Sequence, residues 1–438
     1  MAKVRKNEVE AEIMSERSAG KNSEKTAEKS SVNPDVNPKL IPEVNIGMVG
    51  HVSHGKTTLT QALTGKLTLT HSEELKRGIT IRLGYADATF YRCENGHYGI
   101  YDKCKTCFKD CEPVRTVSFI DAPGHETLMA TVLSGAKLMD GAILLIAANE
   151  KCPQPQTCEH IAALGAVGIK NVVIVQSKID LVSKEEAMDN YKKIKNFVKG
   201  SILENAPIIP VSSQQRLNID ALIQAIERTI PTTARDENKD LRMFVARSFD
   251  INKPGVAVNK LVGGIVGGSI VAGKMKIGDD IVIRPGIRVG SKHRQLVTKV
   301  TGLQKAGKNL DEAYAGGLLG VMTNLDPYLT KSDSLVGCVV SHVGKEPDVR
   351  ESLELEVKIL KCVFGADVKE VKISGIKEKE DLLISAGTAR SIGTVVSSKK
   401  NKVGMRLKLP VVAEKGNRIA LSRQISGRWR LIGYGTVI

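Results

Sequence analysis

The sequence predicts an α/β domain with a mostly parallel sheet, followed by two smaller all-β units. Three observations carry that prediction. From Val44 to about Pro231, apolar strand-like stretches alternate with segments of helical spacing, the pattern of a sheet covered by helices on both faces. From Met243 onward the helical period disappears, and short β-prone runs are broken by glycines and Gly-Asp turns. Between the first strand and the first helix lies a glycine loop, Gly50-His51-Val52-Ser53-His54-Gly55-Lys56-Thr57. With 438 residues, 42% of them apolar, the chain is too long for one hydrophobic core, so two or three domains are expected.

Residues 1–40 are polar, rich in Ser, Lys and Glu, and broken by Pro34 and Pro38. Such a segment buries too little to offset its ordering entropy, so a disordered tail is expected. It has no apolar h-region, and the longest apolar stretch, Ala142 to Ala148, is too short to span a bilayer. No membrane association is expected. The eight cysteines then belong in a reducing compartment, where metal binding is favoured over disulfides.

Net charge is +16, and its position matters more than its size. Residues 41–240 hold 23 basic and 23 acidic side chains, whereas residues 241–438 hold 33 basic and 18 acidic ones. A half-chain this basic points to a polyanionic partner, nucleic acid above all. Candidates for phosphate contacts are Arg284, Arg288, Lys292, Arg294, Lys399, Lys400, Lys402, Arg406 and Lys408.

Val44–Val49 is short and β-prone, and Leu59, Ala62 and Leu63 follow the glycine loop at helical spacing. Strand, glycine loop, helix is the order a phosphate cradle requires. Backbone amides turn inward there and the helix N-terminus adds partial positive charge. Gly50, Ser53, His54, Gly55, Lys56, Thr57 and Thr58 are therefore the expected phosphate-binding residues. Lys56 reaches the β- and γ-phosphates and the Thr57 hydroxyl holds Mg²⁺.

Arg77-Gly78-Ile79-Thr80-Ile81 comes next; Thr80 can reach Mg²⁺ only in the triphosphate state. Cys93, Cys104, Cys107 and Cys111 follow, four thiols able to close a tetrahedral Zn²⁺ site, with His97 as a substitute ligand. The strand Val117–Ile120 then runs into Asp121-Ala122-Pro123-Gly124-His125. Asp121 supports Mg²⁺ through water, and the Gly124 amide senses the γ-phosphate. His125 can orient an attacking water, or simply cap a helix. Further strands are Ala142–Ala147, Asn171–Gln176 and Ile208–Val211, with helices at Glu126–Leu138, Thr157–Leu164, Lys184–Val198 and Ile219–Thr229.

After the fourth of these strands stands Ser177-Lys178-Ile179-Asp180. One carboxylate can accept both guanine N1–H and its exocyclic amine, so Asp180 selects guanine, with the Lys178 stem over the purine. Ser212, Ser213 and Gln214 follow the last strand, where a backbone N–H can meet O6. Pro231 to Asn238 reads as a linker. The β units begin at Met243–Phe249 and Ser352–Ile359. Cys152, Cys158, Cys338 and Cys362 read as packing residues.

Together these motifs resemble the translational GTPases, and more narrowly the gamma subunits of eukaryotic and archaeal translation initiation factor 2. The resemblance rests on G-H-V-x-H-G-K-T at Gly50–Thr57, R-G-I-T-I-R-L-G-Y-A-D-A at Arg77–Ala88 and D-A-P-G-H-E at Asp121–Glu126. C-P-Q-P-Q-T-x-E-H at Cys152–His160 and R-S-F-D-I-N-K-P-G at Arg247–Gly255 are more specific still. It covers nearly everything from Asn45 onward.

The resemblance implies an α/β P-loop GTPase domain, residues 41–235 with a cysteine-rich zinc knuckle at 93–111. Two small all-β barrel domains follow, at 236–347 and 348–438. It implies GTP-dependent delivery of initiator methionyl-tRNA to the small ribosomal subunit in the cytoplasm, alongside alpha and beta subunits. Hydrolysis, slow without a GTPase-activating protein, would use Lys56, Thr80, Gly124 and His125; a nucleotide exchange factor would reload GTP. Tyr85 matches a position lining the methionyl-adenosine pocket, although a tyrosine in an alternating strand reads equally as core.

Two positions depart from the wider pattern. Ser53 stands where elongation factors carry Asp, which favours the narrower family. Ser177 replaces the Asn of N-K-x-D, and serine is too short to touch both guanine and the phosphate loop. Competing readings are an elongation-type factor for elongator or selenocysteyl-tRNA, and a GTP-binding scaffold with little hydrolysis.

Overall fold

The computed structural model describes residues 37–66, 83–122, 133, 135–232, 236–253, 255–257, 260–290, 292–360, 362–364 and 370–438. The first 36 residues of the expected tail lie outside the described residues. Its last four are ordered: Asn37 caps a 3₁₀ turn at Pro38–Leu40, and the Lys39 carbonyl accepts the Thr116 hydroxyl at 2.8 Å. This hydrogen bond ties the turn to an interior strand of the sheet.

The first domain is a seven-stranded mixed sheet. Its strands are β1 (Pro42–Gly50), β2 (Gly84–Cys93), β3 (Tyr98–Gly99), β4 (Cys111–Asp121), β5 (Gly141–Ala147), β6 (Val172–Ser177) and β7 (Ile208–Val211), in spatial order β3-β2-β4-β1-β5-β6-β7. β4, β1, β5, β6 and β7 run parallel, while β2 and β3 form an antiparallel flank. Period-two alternation feeds both faces. Ile143 and Leu145 of β5 join Leu59, Leu63, Phe119 and Ile226 on one side; Leu144 and Ile146 join Leu164, Ile174 and Ile194 on the other. This double burial is why these strands read as continuous apolar runs.

Among the described residues four helices cover the sheet: α1 (Lys56–Thr64), α2 (Pro155–Val167), α3 (Lys184–Val198) and α4 (Ile219–Thr229). α3 opens with a capping box between Ser183 and Glu186. α2 opens on Pro155, whose missing N–H costs a first turn nothing, and closes on Gly168 in the left-handed region (φ 94°). The expected helix at Glu126–Leu138 falls mostly outside the described residues. Among the described residues no helix is long and apolar enough to cross a membrane.

Two barrels follow. The first comprises β8 (Arg242–Phe249), β9 (Ile265–Ala272), β10 (Lys274–Lys276), β11 (Asp280–Val289), β12 (Lys292–Lys305), β13 (Lys308–Leu310), β14 (Glu312–Tyr314), β15 (Leu319–Thr323) and β16 (Val339–His342). The order β11-β16-β8-β9-β15-β12 is closed by pairing of β11 with β12. The second comprises β17 (Val349–Ile359), β18 (Cys362–Phe364), β19 (Glu370–Lys372), β20 (Asp381–Ala386), β21 (Ala389–Lys399), β22 (Lys402–Val412), β23 (Arg418–Ile425) and β24 (Arg428–Val437). Six of these, β17-β22-β21-β20-β23-β24, form a closed barrel. Alternating Leu353, Leu355 and Val357 of β17 point into its core. Closure leaves these strands no open edge.

Polar side chains stitch the domains together. Asn45 of β1 donates to Ser269 Oγ of β9 at 2.9 Å, and Arg242 of β8 pairs with Glu414 beyond β22 at 2.8 Å. Glu159 of α2 forms a buried pair with Arg430 of β24.

Candidate nucleotide and metal sites

Parallel register brings the expected residues to one edge of the sheet. Met48 lies opposite Asp121, Gly50 opposite Leu145, Ala147 opposite Ser177, and Ser177 opposite Val211. The carboxyl ends of five strands thus meet where an α/β sheet receives a ligand.

At Gly50 the chain turns with φ 142°, and a Cβ there would stand 2.5 Å from Leu145 O, so only glycine fits. Gly55 (φ 89°) starts α1, and Ser53 is exposed in the left-handed region (φ 63°). Lys56 Nζ donates to Gly50 O and His51 O, both at 2.9 Å. Burial draws its ammonium down to about 8, against the pull of the Asp121 carboxylate. Thr57 Oγ1 donates to Asp121 Oδ2 at 2.7 Å. Hydroxyl and carboxylate are hard oxygen donors in contact at the start of the helix, a donor set that fits Mg²⁺. His54 is fully buried, its ring between Leu145 O (2.9 Å) and the Glu150 carboxylate (3.2 Å). That side chain serves the underside of the loop.

α2 supplies contacts that sequence reasoning missed. Gly50 N–H donates to His160 Nδ1 at 2.8 Å, and Val52 N–H to Gln156 Oε1 at 3.2 Å. Burial, with Lys56, His54 and His51 nearby, draws His160 down to about 3, so it stays neutral and keeps Nδ1 as an acceptor. The only sequence signal was the C-P-Q-P-Q-T-x-E-H motif, which bears no local mark of its target 110 residues away.

At the base end, Ser177 Oγ donates to His54 O at 2.7 Å, tethering the phosphate loop. Lys178 is left-handed (φ 59°) and leads into the short turn carrying exposed Asp180. Ser212 is buried and its hydroxyl accepts the Gln215 N–H at 3.2 Å, while Gln214 is exposed. With its hydroxyl proton committed to the loop, Ser177 has no side-chain donor left for guanine. Ser177→Asn is therefore expected to tighten GDP binding about fivefold, the worth of one hydrogen bond of about 1 kcal/mol. Equilibrium titration checks this, and an unchanged affinity would contradict it.

In the insert, the metal-capable cluster is Cys93, His97, Cys104 and Cys107, whose donor atoms lie within 4.8 Å of one another. The cluster holds His97, the substitute ligand of the sequence reading, in the place expected for Cys111. The His97 carbonyl accepts Cys93 N–H at 3.1 Å, a tight turn that swings the ring over the thiols. Cys111 lies in the β2–β4 ladder opposite Cys93, its Sγ 3.9 Å from Lys109 O and beside the Cys104 thiol at the rim of the cluster. A tetrahedral zinc ion sets S···S edges of about 3.8 Å and S···N edges of about 3.6 Å. The corresponding separations are 3.7 Å for Cys107–Cys93, and 3.6 Å for both Cys93–His97 and Cys104–His97. The Cys107 N–H directed at Cys104 Sγ draws that thiol down to about 6, toward the ligating thiolate.

Tyr85 sits half-buried on β2 with its hydroxyl closed off from solvent, packed against the core beside the Arg247–Asp333 pair. The basic candidates Arg288, Lys292, Arg294, Lys399, Lys400, Lys402, Arg406 and Lys408 are exposed; Arg284 is half-buried and donates to Gln295 Oε1 at 2.7 Å. Thr80, Gly124 and His125 lie outside the described residues. Cys158 and Cys338 are buried, as packing residues are.

Three family descriptions match in tandem: Elongation factor Tu GTP binding domain over residues 42–232, Elongation factor Tu domain 2 over 263–341, and Initiation factor eIF2 gamma, C terminal, over 351–437. A protein of Pyrococcus horikoshii named translation initiation factor 2 subunit gamma is 56% identical over 400 residues, covering 90% of this chain and 97% of its own. Its namesake in Archaeoglobus fulgidus is 54% identical, covering 91% and 95%. The chain belongs to the gamma subunits of translation initiation factor 2. Among solved structures, a bacterial selenocysteine-specific elongation factor superposes with TM-score 0.70 at 24% identity, over 90% of this chain and 58% of that one. The SelB elongation factor of Methanococcus maripaludis, bound to a GTP analogue, gives 0.66 at 22% identity, over 91% and 79%. At that identity these two establish the fold. Family membership makes the phosphate site that of a GTPase acting in translation initiation.

Proposed function

We propose that the GTP form of this chain carries initiator methionyl-tRNA to the small ribosomal subunit and that hydrolysis releases it. The observation that carries this reading is identity above half, over 90% of the chain, with gamma subunits of initiation factor 2. The Lys56–Thr57–Asp121 cluster supplies the triphosphate chemistry beneath it.

Lys56 exchanges its two loop carbonyls for β- and γ-phosphate oxygens. Thr57, Thr80 and water-bridged Asp121 would hold Mg²⁺, which neutralises charge on the phosphates when bound. Thr80 and the Gly124 amide close over the γ-phosphate, and His125 orients the attacking water. Positioning and fixed charge supply most of the acceleration. Loss of the γ-phosphate frees both switch segments and opens the tRNA site around Tyr85. Ser53, His54, Gly55 and Thr58 line the phosphates, and Lys178, Asp180, Ser212, Ser213 and Gln214 the guanine. Cys93, His97, Cys104 and Cys107 close on zinc as a structural knuckle.

In this reading the GTPase domain spans 41–235 and the barrels 236–347 and 348–438. Alpha and beta subunits, a GTPase-activating protein and an exchange factor complete a cytoplasmic cycle. Competition between charged initiator and charged elongator tRNA on the GTP form tests it. Preference for the initiator of at least about tenfold is expected, a difference of about 1.4 kcal/mol. Equal binding would replace this reading with an elongation-type one.

A further inference from the structure

We propose that α2 is a strut through which the second barrel sets the shape of the phosphate loop, with His160 and Gln156 as its positioning residues and Glu159–Arg430 as its anchor. The case begins with three neighbouring positions on one helix. Gln156 and His160 are four residues apart, hence on one face, and accept the amide protons of Val52 and Gly50. Glu159, the residue before His160, is turned away from the loop and pairs with Arg430 of β24; both are almost fully buried. The pair joins two domains across 271 residues of chain.

A second grip lies at the far end of α2. There Gly168 closes the helix, and a Cβ at Gly168 would stand 2.7 Å from the Arg418 guanidinium of β23. A cation at a helix C-terminus complements the carbonyl dipoles gathered there. Arg418 is steadied in turn by the Tyr434 ring, 5.1 Å from its centroid. Both grips therefore come from one barrel, and β23 and β24 pack along α2.

Mechanically, the arrangement is short and stiff. A helix moves as a body, so a shift of the barrel that drags Glu159 must carry His160 with it. His160 holds Gly50, the residue whose turn opens the cradle and which tolerates no side chain. Gln156 holds Val52 within the same loop. Neither amide is thereby left to float, and the loop is preorganised before nucleotide arrives. By linkage, whatever the barrel does to nucleotide affinity, nucleotide does to the barrel's seating.

The test is GDP release from the full chain, followed with a fluorescent GDP analogue, for Arg430→Met, Glu159→Gln, the double variant and His160→Ala. Release is expected to quicken about tenfold in each single variant, within the range usual for coupled sites. The double variant should release no faster than either single one, since one pair is broken in all three. Arg430→Met in the His160→Ala background should add nothing. Release within twofold of the parent, with a lowered melting midpoint, would mean the ion pair only holds domains together, and the proposal fails. Multiplied effects of His160→Ala and Arg430→Met would equally overturn it. Should Arg430→Met fail to fold, exposed Arg418→Ala serves in its place: about threefold faster release is expected, a fraction of the tenfold coupling because the site is solvated. Unchanged release there is fatal to the idea.

Discussion

Lys56→Met is expected to lower the single-turnover rate of GTP hydrolysis by at least about a hundredfold, the usual cost of losing one preorganised donor at developing charge. Lys56 is almost fully buried, so its charge acts in a weakly screening environment. It is already held by Gly50 O and His51 O, which keeps the ammonium poised over the cradle with little rearrangement left to make. Methionine keeps the length and removes the charge. The protein should remain folded, since a buried ammonium is itself costly. Phosphate release after mixing with GTP checks this. A loss under tenfold in a folded variant would contradict it.

The second large effect concerns the insert. Cys104→Ser is expected to abolish stoichiometric zinc and to expose residues 93–111 to proteolysis. Removing one of four ligands forfeits roughly a quarter of a binding energy of about 10–16 kcal/mol, hence about two to three decades in zinc affinity. His97→Ala should behave like Cys104→Ser, whereas Cys111→Ser should keep its zinc. Metal analysis of the purified variants decides the ligand set. Retention of zinc by His97→Ala together with its loss from Cys111→Ser would restore the four-cysteine reading.

Most of the fold was legible because its signals are local. β5 and β6 read as apolar runs from any seven-residue window, and the strand–loop–helix order at Gly50–Thr57 needs no distant partner. What sequence could not reach lies across long separations. His160 meets Gly50 over 110 residues and Arg430 meets Glu159 over 271, and nothing beside them in the chain names the partner. The zinc ligands show a subtler limit. Spacing nominated four cysteines, whereas a tight turn gathers His97 with Cys93, Cys104 and Cys107. Ser177 was half legible: its shortness was clear, and which of two contacts it would keep was not.

The central claim is that one phosphate group governs the hold on a charged RNA. The most direct measurement is the affinity of the assembled three-subunit factor for methionyl initiator tRNA with GTP and then with GDP. Binding tighter with GTP by at least about tenfold, about 1.4 kcal/mol, is the predicted result. Equal affinity in the two nucleotide states would contradict the account.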